Sequence, residues 1–394
     1  MKLSKITEQF TESIIRDMTR VALQHPGSIN LAQGFPDFPA PESIKQAAIE
    51  AIQKDMNQYA VTWGITALRE AIAAKALRHN HIKADPGKNI TVTCGATEGM
   101  MVSLRAIINP GDEIIVFEPF YENYGPDSLL SGAKPRYIRL QPPDWSFDFD
   151  VLKKAFNAKT KAIVINTPNN PTGKVFTEEE LRFIAGLCLE YDAIAVTDEI
   201  YEHIIYDGSR HVSIASLPEM ADRSITINSI SKTYSLTGWR VGWAIACERI
   251  TREIRKVHDF MTVGAAAPLQ VGAAFALSLG EEYYRWLAEF YRQARDTLYN
   301  ALLETQLQPY KPAGAYYIMC EVSDYMRQHQ LPNSLELAYF LIKTIGIAAV
   351  PGSSFYSVPS YGHYQIRFCF CKSPDTLQKA SSYLAKIAKT KGAV

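Results

Sequence analysis

Residues 162–198 decide the fold class: AIVINTPNNPTGKVFTEEELRFIAGLCLEYDAIAVTD. The apolar, β-branched run Ala162–Asn166 predicts a buried strand, and a second such run follows at Ala193–Thr197. Between them, Thr177–Tyr191 has the length and spacing of a helix, and Thr177 followed by Glu180 is a capping-box signature at its start. Strand, helix and strand in this order predict a βαβ unit with parallel strands.

The same alternation continues on both sides of this unit. The sequence predicts another helix at Thr97–Ile108 and further strands at Ile90–Cys94, Glu113–Phe117, Ile225–Ser229 and Val241–Ala246. We therefore expect an α/β fold, in which a large domain has a mainly parallel central sheet flanked by helices.

The C-terminal third has a different pattern, which indicates a smaller α+β domain. It contains a long amphipathic helix (Glu281–Gln306), a strand-like run (314–321), a helix (Ser334–Ile345), a strand (Gln365–Cys371) and a closing helix. We expect residues 1–45 to form an N-terminal arm and part of the small domain, residues 46–290 the large domain, and residues 291–394 the small C-terminal domain.

Composition narrows the classes of function. The chain has 394 residues, 47% hydrophobic and 21% charged, with 41 basic and 41 acidic residues. This balance favours neither a nucleic-acid nor a membrane partner, and the N-terminus lacks the apolar stretch of a secretory signal. The six cysteines include one close pair, Cys369 and Cys371, without the second pair typical of a zinc site. We expect reduced thiols, no metal and a cytoplasmic location.

Small and polar residues follow two of the predicted strands, where open α/β sheets bind their ligands. Gly95-Ala96-Thr97 opens a helix, and free N–H groups at a helix start suit an anion, although a tight turn alone would explain the glycine. Thr167–Gly173 is a rigid, proline-containing turn that presents Asn170.

Charged residues follow the next two strands. Asp198 ends a buried strand, where a carboxylate needs a cation or hydrogen bonds unless it caps a helix. Lys232 comes directly after Ile225–Ser229 and is poorly explained as a solvated surface charge, whereas a desolvated lysine has a lowered pKa and can form an imine. Arg240 could offer two parallel donors to a phosphate.

Taken together, three segments resemble the signature of the class I/II aminotransferases, the fold-type I enzymes that use pyridoxal 5′-phosphate (PLP). They are Asn-Asn-Pro-Thr-Gly at 169–173, Asp-Glu-Ile-Tyr at 198–201 and Ser-x-Ser-Lys-(x)7-Arg at 229–240. The resemblance extends in the family's order from about Asn30 to Phe368. It implies that the large domain binds PLP.

The resemblance also implies roles around the cofactor. Lys232 would carry PLP as a Schiff base and act as general acid and base, and Asp198 would pair with the pyridine nitrogen. Tyr201 and Asn170 would hydrogen-bond the phenolic oxygen of the ring. The remaining contacts would be made by Ser229, Ser231, Arg240 and Gly95-Ala96-Thr97 with the phosphate, and by Tyr121, unless it is a core aromatic, with the ring face.

Substrate and subunit contacts follow from the same resemblance. Arg367 would clamp the α-carboxylate, with Gly34 and Asn170 beside it. Tyr59 would reach the phosphate of the other subunit's cofactor, which implies a homodimer with shared active sites. Residues 32–38, 57–60 and 255–259 look most like those of bacterial methionine/aromatic and kynurenine-type aminotransferases, whereas residues 62–64 and 262–267 depart from that pattern.

The sequence therefore predicts a PLP-dependent aminotransferase that moves an amino group by a ping-pong mechanism from a large uncharged amino acid to a 2-oxo acid. The donor would be methionine, leucine, an aromatic amino acid or kynurenine. The expected pocket segments, Ser13–Ile15, Phe35–Phe38 and Phe355–Tyr356, are largely apolar, although Arg16 could serve an acidic substrate. The alternatives are an aspartate-type aminotransferase, a PLP-dependent β-lyase or dehydratase, and a regulatory domain without catalysis.

Overall fold

The computed structural model describes residues 3–387. Its strands are β1 (Ile29–Asn30), β2 (Ile90–Thr93), β3 (Glu113–Glu118), β4 (Lys134–Arg139), β5 (Thr160–Asn166), β6 (Ile194–Asp198), β7 (Ser224–Ser229), β8 (Gly242–Ala246), β9 (Gln308–Pro309), β10 (Tyr317–Glu321), β11 (Ile347–Ala348), β12 (Val350–Pro351) and β13 (Gln365–Cys369). Its α-helices are α1 (Ile14–Leu23), α2 (Glu42–Gln53), α3 (Thr66–Asn80), α4 (Gly95–Ile107), α5 (Tyr124–Leu130), α6 (Phe149–Ala155), α7 (Glu178–Glu190), α8 (Glu248–Met261), α9 (Ala267–Leu277), α10 (Glu281–Leu303), α11 (Ser323–Gln328), α12 (Ser334–Ile345) and α13 (Pro374–Leu384).

A seven-stranded sheet forms the centre of the molecule, in the order β2-β8-β7-β6-β5-β3-β4. Only β8 runs against its neighbours, because β2 and β7 both pair with it in antiparallel register. Every residue of β2, β3, β6, β7 and β8 is buried, as expected for strands covered on both faces. The predicted α/β class with a mainly parallel sheet is confirmed.

The predicted capping box is also present at the start of α7. The Thr177 hydroxyl accepts a hydrogen bond from the Glu180 N–H, and the Glu180 carboxylate accepts one from the Thr177 N–H. These bonds satisfy two free donors of the first helical turn and fix where the helix begins.

Sequence reasoning missed β4, which lies at the edge of the central sheet beside β3. Its sequence, KPRYIR, carries three basic residues and a proline, and most of its side chains are partly or fully exposed. Charges and proline are typical of edge strands, where they discourage pairing with other chains, but they hide the apolar alternation that identifies a strand.

The C-terminal part of the chain builds a second, four-stranded antiparallel sheet in the order β12-β13-β10-β9. The N-terminal segment joins this region, because β1 pairs in parallel with β11 and the Leu31 carbonyl accepts a 2.8 Å hydrogen bond from the Cys369 N–H. Residues from opposite ends of the chain therefore meet beside β13, which carries Arg367.

Within residues 3–387, every helix is too short or too polar to cross a lipid bilayer.

Candidate active site

A cavity of ≈ 180 Å³ lies beside the carboxyl ends of the central strands and is also reached by α1, β10 and β13. This is where an open α/β sheet is expected to bind its ligand. The structure brings most of the residues singled out from the sequence to its walls: Gly34, Ala96, Thr97, Tyr121, Asn170, Asp198, Tyr201, Ser229, Ser231, Lys232, Arg240 and Arg367.

Gly95 supports one wall without lining it. Its φ of +82° is a left-handed conformation, and a Cβ atom there would lie 2.2 Å from Nη2 of Arg240. The guanidinium therefore packs directly on the first turn of α4, whose N–H groups have no carbonyl acceptor within the helix. A helix start and a guanidinium in contact can hold an anion such as a phosphate.

Lys232 lies at the end of β7 and projects into the cavity, where its Nζ donates a 3.2 Å hydrogen bond to the Gly34 carbonyl. Burial lowers the pKa of the ammonium group to about 8, against the opposing effect of nearby acidic groups, Asp198 among them. A larger share of neutral amine is then present near neutral pH than for a solvated lysine, and the neutral amine is the form that attacks a carbonyl group.

Asp198 is buried at the end of β6. Its Oδ2 accepts a 2.8 Å hydrogen bond from the Tyr124 hydroxyl, and its Oδ1 accepts one from the Ile200 N–H. Burial raises the pKa of this carboxyl group to about 6, against the hydrogen bond from Tyr124, which lowers it. Among residues 3–387, no Lys, Arg or His forms an ion pair with Asp198, so the carboxylate can accept a cation from a ligand.

Arg367 has no exposed surface. Its Nη1 donates to Oδ1 of Asn170 at 2.8 Å, its Nη2 donates to the Ala32 carbonyl, and its Nε has no partner. The guanidinium also lies 4.2 Å from the ring centroid of Tyr317. No carboxylate in the described part of the chain forms an ion pair with it, and a buried charge in this state needs an anionic ligand.

Two tyrosines that sequence reasoning missed contribute hydroxyl groups to the cavity. Tyr124 bonds Asp198, and the Tyr317 hydroxyl lies 3.0 Å from that of Tyr201. Burial raises the pKa of Tyr121 to about 12 and that of Tyr201 well above its ordinary value, so both remain neutral phenols at physiological pH. Tyr124 begins α5 only three positions after Tyr121, and this closeness in sequence was the available signal.

The expected side-chain pocket is partly wrong. Ser13, Ile15 and Arg16 line the cavity, but Phe35–Phe38 and Phe355–Tyr356 do not. The Phe35 ring lies under the Lys372 ammonium at 4.1 Å, and Phe38 packs edge-on against Phe290. Phe355 is fully buried, and Tyr356 donates its hydroxyl hydrogen to Gln365. These aromatic side chains are held in place by packing behind the site.

Glu122 is a charged residue of the cavity wall that the sequence did not indicate. It lines the cavity beside Tyr121, accepts a 2.5 Å hydrogen bond from the Ser13 hydroxyl, and accepts a second from the Ile15 N–H. It therefore fastens the start of α1 to the cavity wall. Burial raises the pKa of this carboxyl group, although the bond from Ser13 opposes the shift.

Tyr59 lies away from the cavity, in a surface depression formed by residues 56–60 and 262–268. Its side chain is 88% exposed, so within one chain it contacts none of the groups described above.

The residues that line or support the cavity fit the chemical groups of PLP. The phosphate matches the start of α4 with Arg240, and the pyridine nitrogen, once protonated, supplies the cation that Asp198 lacks. The aldehyde requires an amine of lowered pKa, which Lys232 provides. The Arg367 guanidinium remains for a substrate carboxylate.

Comparison with known proteins places the chain in a family. Residues 26–384 match the family described as aminotransferase class I and II. The chain is 36% identical to human kynurenine–oxoglutarate transaminase 1, over 94% of each protein, and 36% identical to the methionine aminotransferase of Escherichia coli K12, over 96% of this chain and 97% of that protein. The structure of N-succinyldiaminopimelate aminotransferase from Mycobacterium tuberculosis superposes with a TM-score of 0.93 at 33% identity, covering 98% of this chain and 100% of that one. The chain therefore belongs to the class I and II aminotransferases and is a PLP-dependent transferase of amino groups.

Proposed function

We propose that this aminotransferase takes the amino group from a large uncharged amino acid and passes it to a 2-oxo acid in a ping-pong cycle. The observation that carries this proposal is that two residues line the same cavity. One is Arg367, a buried guanidinium without a counter-ion, and the other is Lys232, an amine of lowered pKa. The guanidinium fits the α-carboxylate of an amino acid, and the amine fits the chemistry at its α-carbon.

Within this proposal, Arg367 fixes the substrate by two parallel hydrogen bonds to its α-carboxylate. Asn170 orients the guanidinium through Nη1, and the Gly34 backbone lies beside the lysine. Binding at a fixed guanidinium also orients the α-hydrogen, which makes its removal effectively unimolecular. The absence of a side chain at Gly34 keeps this space open, since a Cβ atom would lie 2.1 Å from the Tyr317 hydroxyl.

Lys232 would then take the proton from the substrate α-carbon and deliver it to the cofactor carbon that carried the aldehyde, so that the amino group stays with the cofactor. PLP, when bound, supplies the electron sink for this proton transfer, and Asp198 keeps its pyridine nitrogen protonated. Tyr201 and Asn170 hold the ring oxygen by hydrogen bonds, and Tyr121 covers the ring face. Ser229, Ser231, Arg240 and the Gly95-Ala96-Thr97 turn hold the phosphate.

We also propose that the active site is completed in a homodimer through Tyr59. Tyr59, Val61, Phe260 and Val263 are exposed by 88, 50, 95 and 43%. Large apolar side chains grouped in this way mark a surface that another protein covers. A two-fold interface would place each Tyr59 on the partner's side, where the tyrosine could reach the partner's phosphate site.

The preference for uncharged side chains rests on Glu122. Its carboxylate lies on the cavity wall, so a second carboxylate on the substrate would meet a like charge in a poorly solvated space. Arg16 lines the same cavity and is the residue through which an aspartate-type enzyme would act, but its side chain is exposed and is therefore more readily hydrated. The relatives named for methionine and kynurenine agree with this preference.

We expect methionine, leucine or phenylalanine to exceed aspartate in kcat/KM by about tenfold or more, since an unpaired distal carboxylate is costly to desolvate. The measurement is a half-reaction of the holoenzyme with each amino acid, followed by the absorbance change from the aldehyde to the amine form of the cofactor. An aspartate preference of about tenfold over both methionine and phenylalanine would contradict the substrate assignment. Release of ammonia without build-up of the amine form would instead indicate a lyase.

Glu122→Gln tests the origin of the preference. We expect kcat/KM for aspartate or glutamate, relative to methionine, to rise by about tenfold when measured at pH 8, because a higher pH favours the charged form of the wild-type carboxyl group. Ser13→Ala is the matched control, because it removes a hydrogen bond to Glu122 and keeps the charge. A ratio that stays the same in Glu122→Gln would show that Glu122 does not select the substrate.

A further inference from the structure

Two segments without a role in the site meet in the structure: residues 255–259 of α8 and the loop 62–64. The Arg255 guanidinium lies 4.7 Å from the Trp63 ring centroid and donates to the Ile90 carbonyl. His258 has no exposed surface, and its Nε2 lies 2.8 Å from the Thr62 carbonyl oxygen. The loop that follows Tyr59 is therefore fastened to α8 at two points.

The other nitrogen of His258 contacts Glu98 on the first turn of α4. Nδ1 lies 2.6 Å from Oε1 of Glu98, which also accepts a hydrogen bond from the Thr262 hydroxyl. Oε2 of Glu98 accepts a hydrogen bond from the Cys94 N–H, directly before Gly95-Ala96-Thr97. One carboxylate thus connects the proposed phosphate-binding turn to α8 and to the segment 262–267.

The hydrogen-bond partners determine the protonation state of His258. A carbonyl oxygen can only accept, so Nε2 carries a hydrogen for Thr62. Glu98 accepts from both Cys94 and Thr262, as an ionised carboxylate does, so Nδ1 carries a hydrogen as well. Burial alone would raise the pKa of Glu98 and lower that of His258. Together, their mutual hydrogen bond and charge attraction, with the bonds from Thr262 and Cys94 to Glu98 and the bond of His258 to Thr62, outweigh burial: the pKa of Glu98 is lowered and that of His258 is raised. The pair is a carboxylate and an imidazolium.

We propose that His258 is a positioning residue for the cofactor phosphate, because its imidazolium cancels the charge of Glu98 beside the phosphate-binding turn while anchoring the loop of Tyr59. An acidic side chain in the first turn accepts hydrogen bonds from the free N–H groups of the helix start. It also competes with an anionic ligand for the same positive end of the helix. When the imidazolium is bound to it, Glu98 can still hold the turn through the Cys94 N–H, and the net charge of the Glu98–His258 pair is zero. This inference rests on the assignment of residues 95–97 to the phosphate.

The test compares two ligands that differ only in the phosphate, pyridoxamine 5′-phosphate and pyridoxamine, titrated against the full-length chain freed of cofactor. In His258→Gln the Glu98 charge is uncompensated, and we expect the phosphate ester to bind about tenfold or more weakly, while pyridoxamine changes by less than about threefold. In E98Q/H258Q both partners are neutral, and we expect affinity for the phosphate ester to return to within about threefold of wild type. The Glu98→Gln variant, which removes the competing charge, should likewise stay within about threefold of wild type.

The outcomes separate the inference from the function on which it rests. If His258→Gln weakens both ligands equally, or if the losses simply add in E98Q/H258Q, His258 has only a structural role and the inference is wrong. If wild type itself binds pyridoxamine as tightly as its phosphate ester, the phosphate site is misassigned and the inference fails with it. If His258→Gln does not fold, shown by its circular dichroism, Glu98→Gln and E98Q/H258Q decide the matter, since a tenfold loss in either contradicts charge compensation.

Discussion

Lys232→Ala is expected to abolish transamination, lowering the rate of the methionine half-reaction by about four decades or more, because the variant lacks both the covalent attachment point and the acid–base group. Rates are measured in single turnovers, with borohydride reduction and mass spectrometry of the wild type to locate the lysine that carries the cofactor. Lys372→Ala is the matched control: Lys372 is also buried, but its Nζ bonds the Phe35 carbonyl outside the cavity.

The lowered pKa of Lys232 gives this prediction a pH dependence. The amine is protonated below pH about 8 and neutral above it, so the rate at which the cofactor-free enzyme attaches PLP should rise as pH increases through about 8. Recovery of the reduced cofactor on another lysine, or substantial turnover by Lys232→Ala, would refute the assignment.

Asp198→Asn is expected to retain the cofactor and lose about three decades or more in kcat, equivalent to about 4 kcal/mol of transition-state stabilisation. The amide oxygen can still accept the hydrogen bond from Tyr124, but it cannot hold a proton on the pyridine nitrogen. Steady-state rates and the absorbance of the bound cofactor measure the two effects separately.

Tyr124→Phe provides the comparison for Asp198, because it removes one hydrogen bond to the carboxylate and keeps the charge. We expect a loss of only about tenfold, in line with one hydrogen bond to a charged group. Near-normal turnover in Asp198→Asn would show that another group protonates the ring.

The central sheet was predictable because its strands are buried on both faces. The run Ala162–Asn166 is apolar until its last residue, and Ile225–Ser229 is fully buried, with polar side chains at its end that mark the ligand edge. Most of the candidate site follows from this rule, since Asp198 ends such a strand and Asn170 and Lys232 follow the ends of two others within about one turn of chain.

The remaining site residues depend on contacts between distant parts of the chain. Tyr317 reaches Tyr201 from a different sheet, and Glu122 is recognisable only by its bond to Ser13, 109 positions earlier. Phe35–Phe38 looked like a substrate wall because it is aromatic, but Lys372 and Phe290 hold Phe35 and Phe38 elsewhere. A local pattern carries no information about such partners.

The meeting of the two chain ends beside β13 also sets an order of assembly. Arg367 donates to the Ala32 carbonyl, 335 positions earlier, whereas the groups proposed to hold the cofactor lie between residues 95 and 240 of the same chain. At typical synthesis rates Ala32 is made roughly 20 to 70 s before Arg367. A nascent chain can therefore bring together its own cofactor-binding groups before synthesis ends, and the carboxylate clamp forms last, once the final strands have left the ribosome.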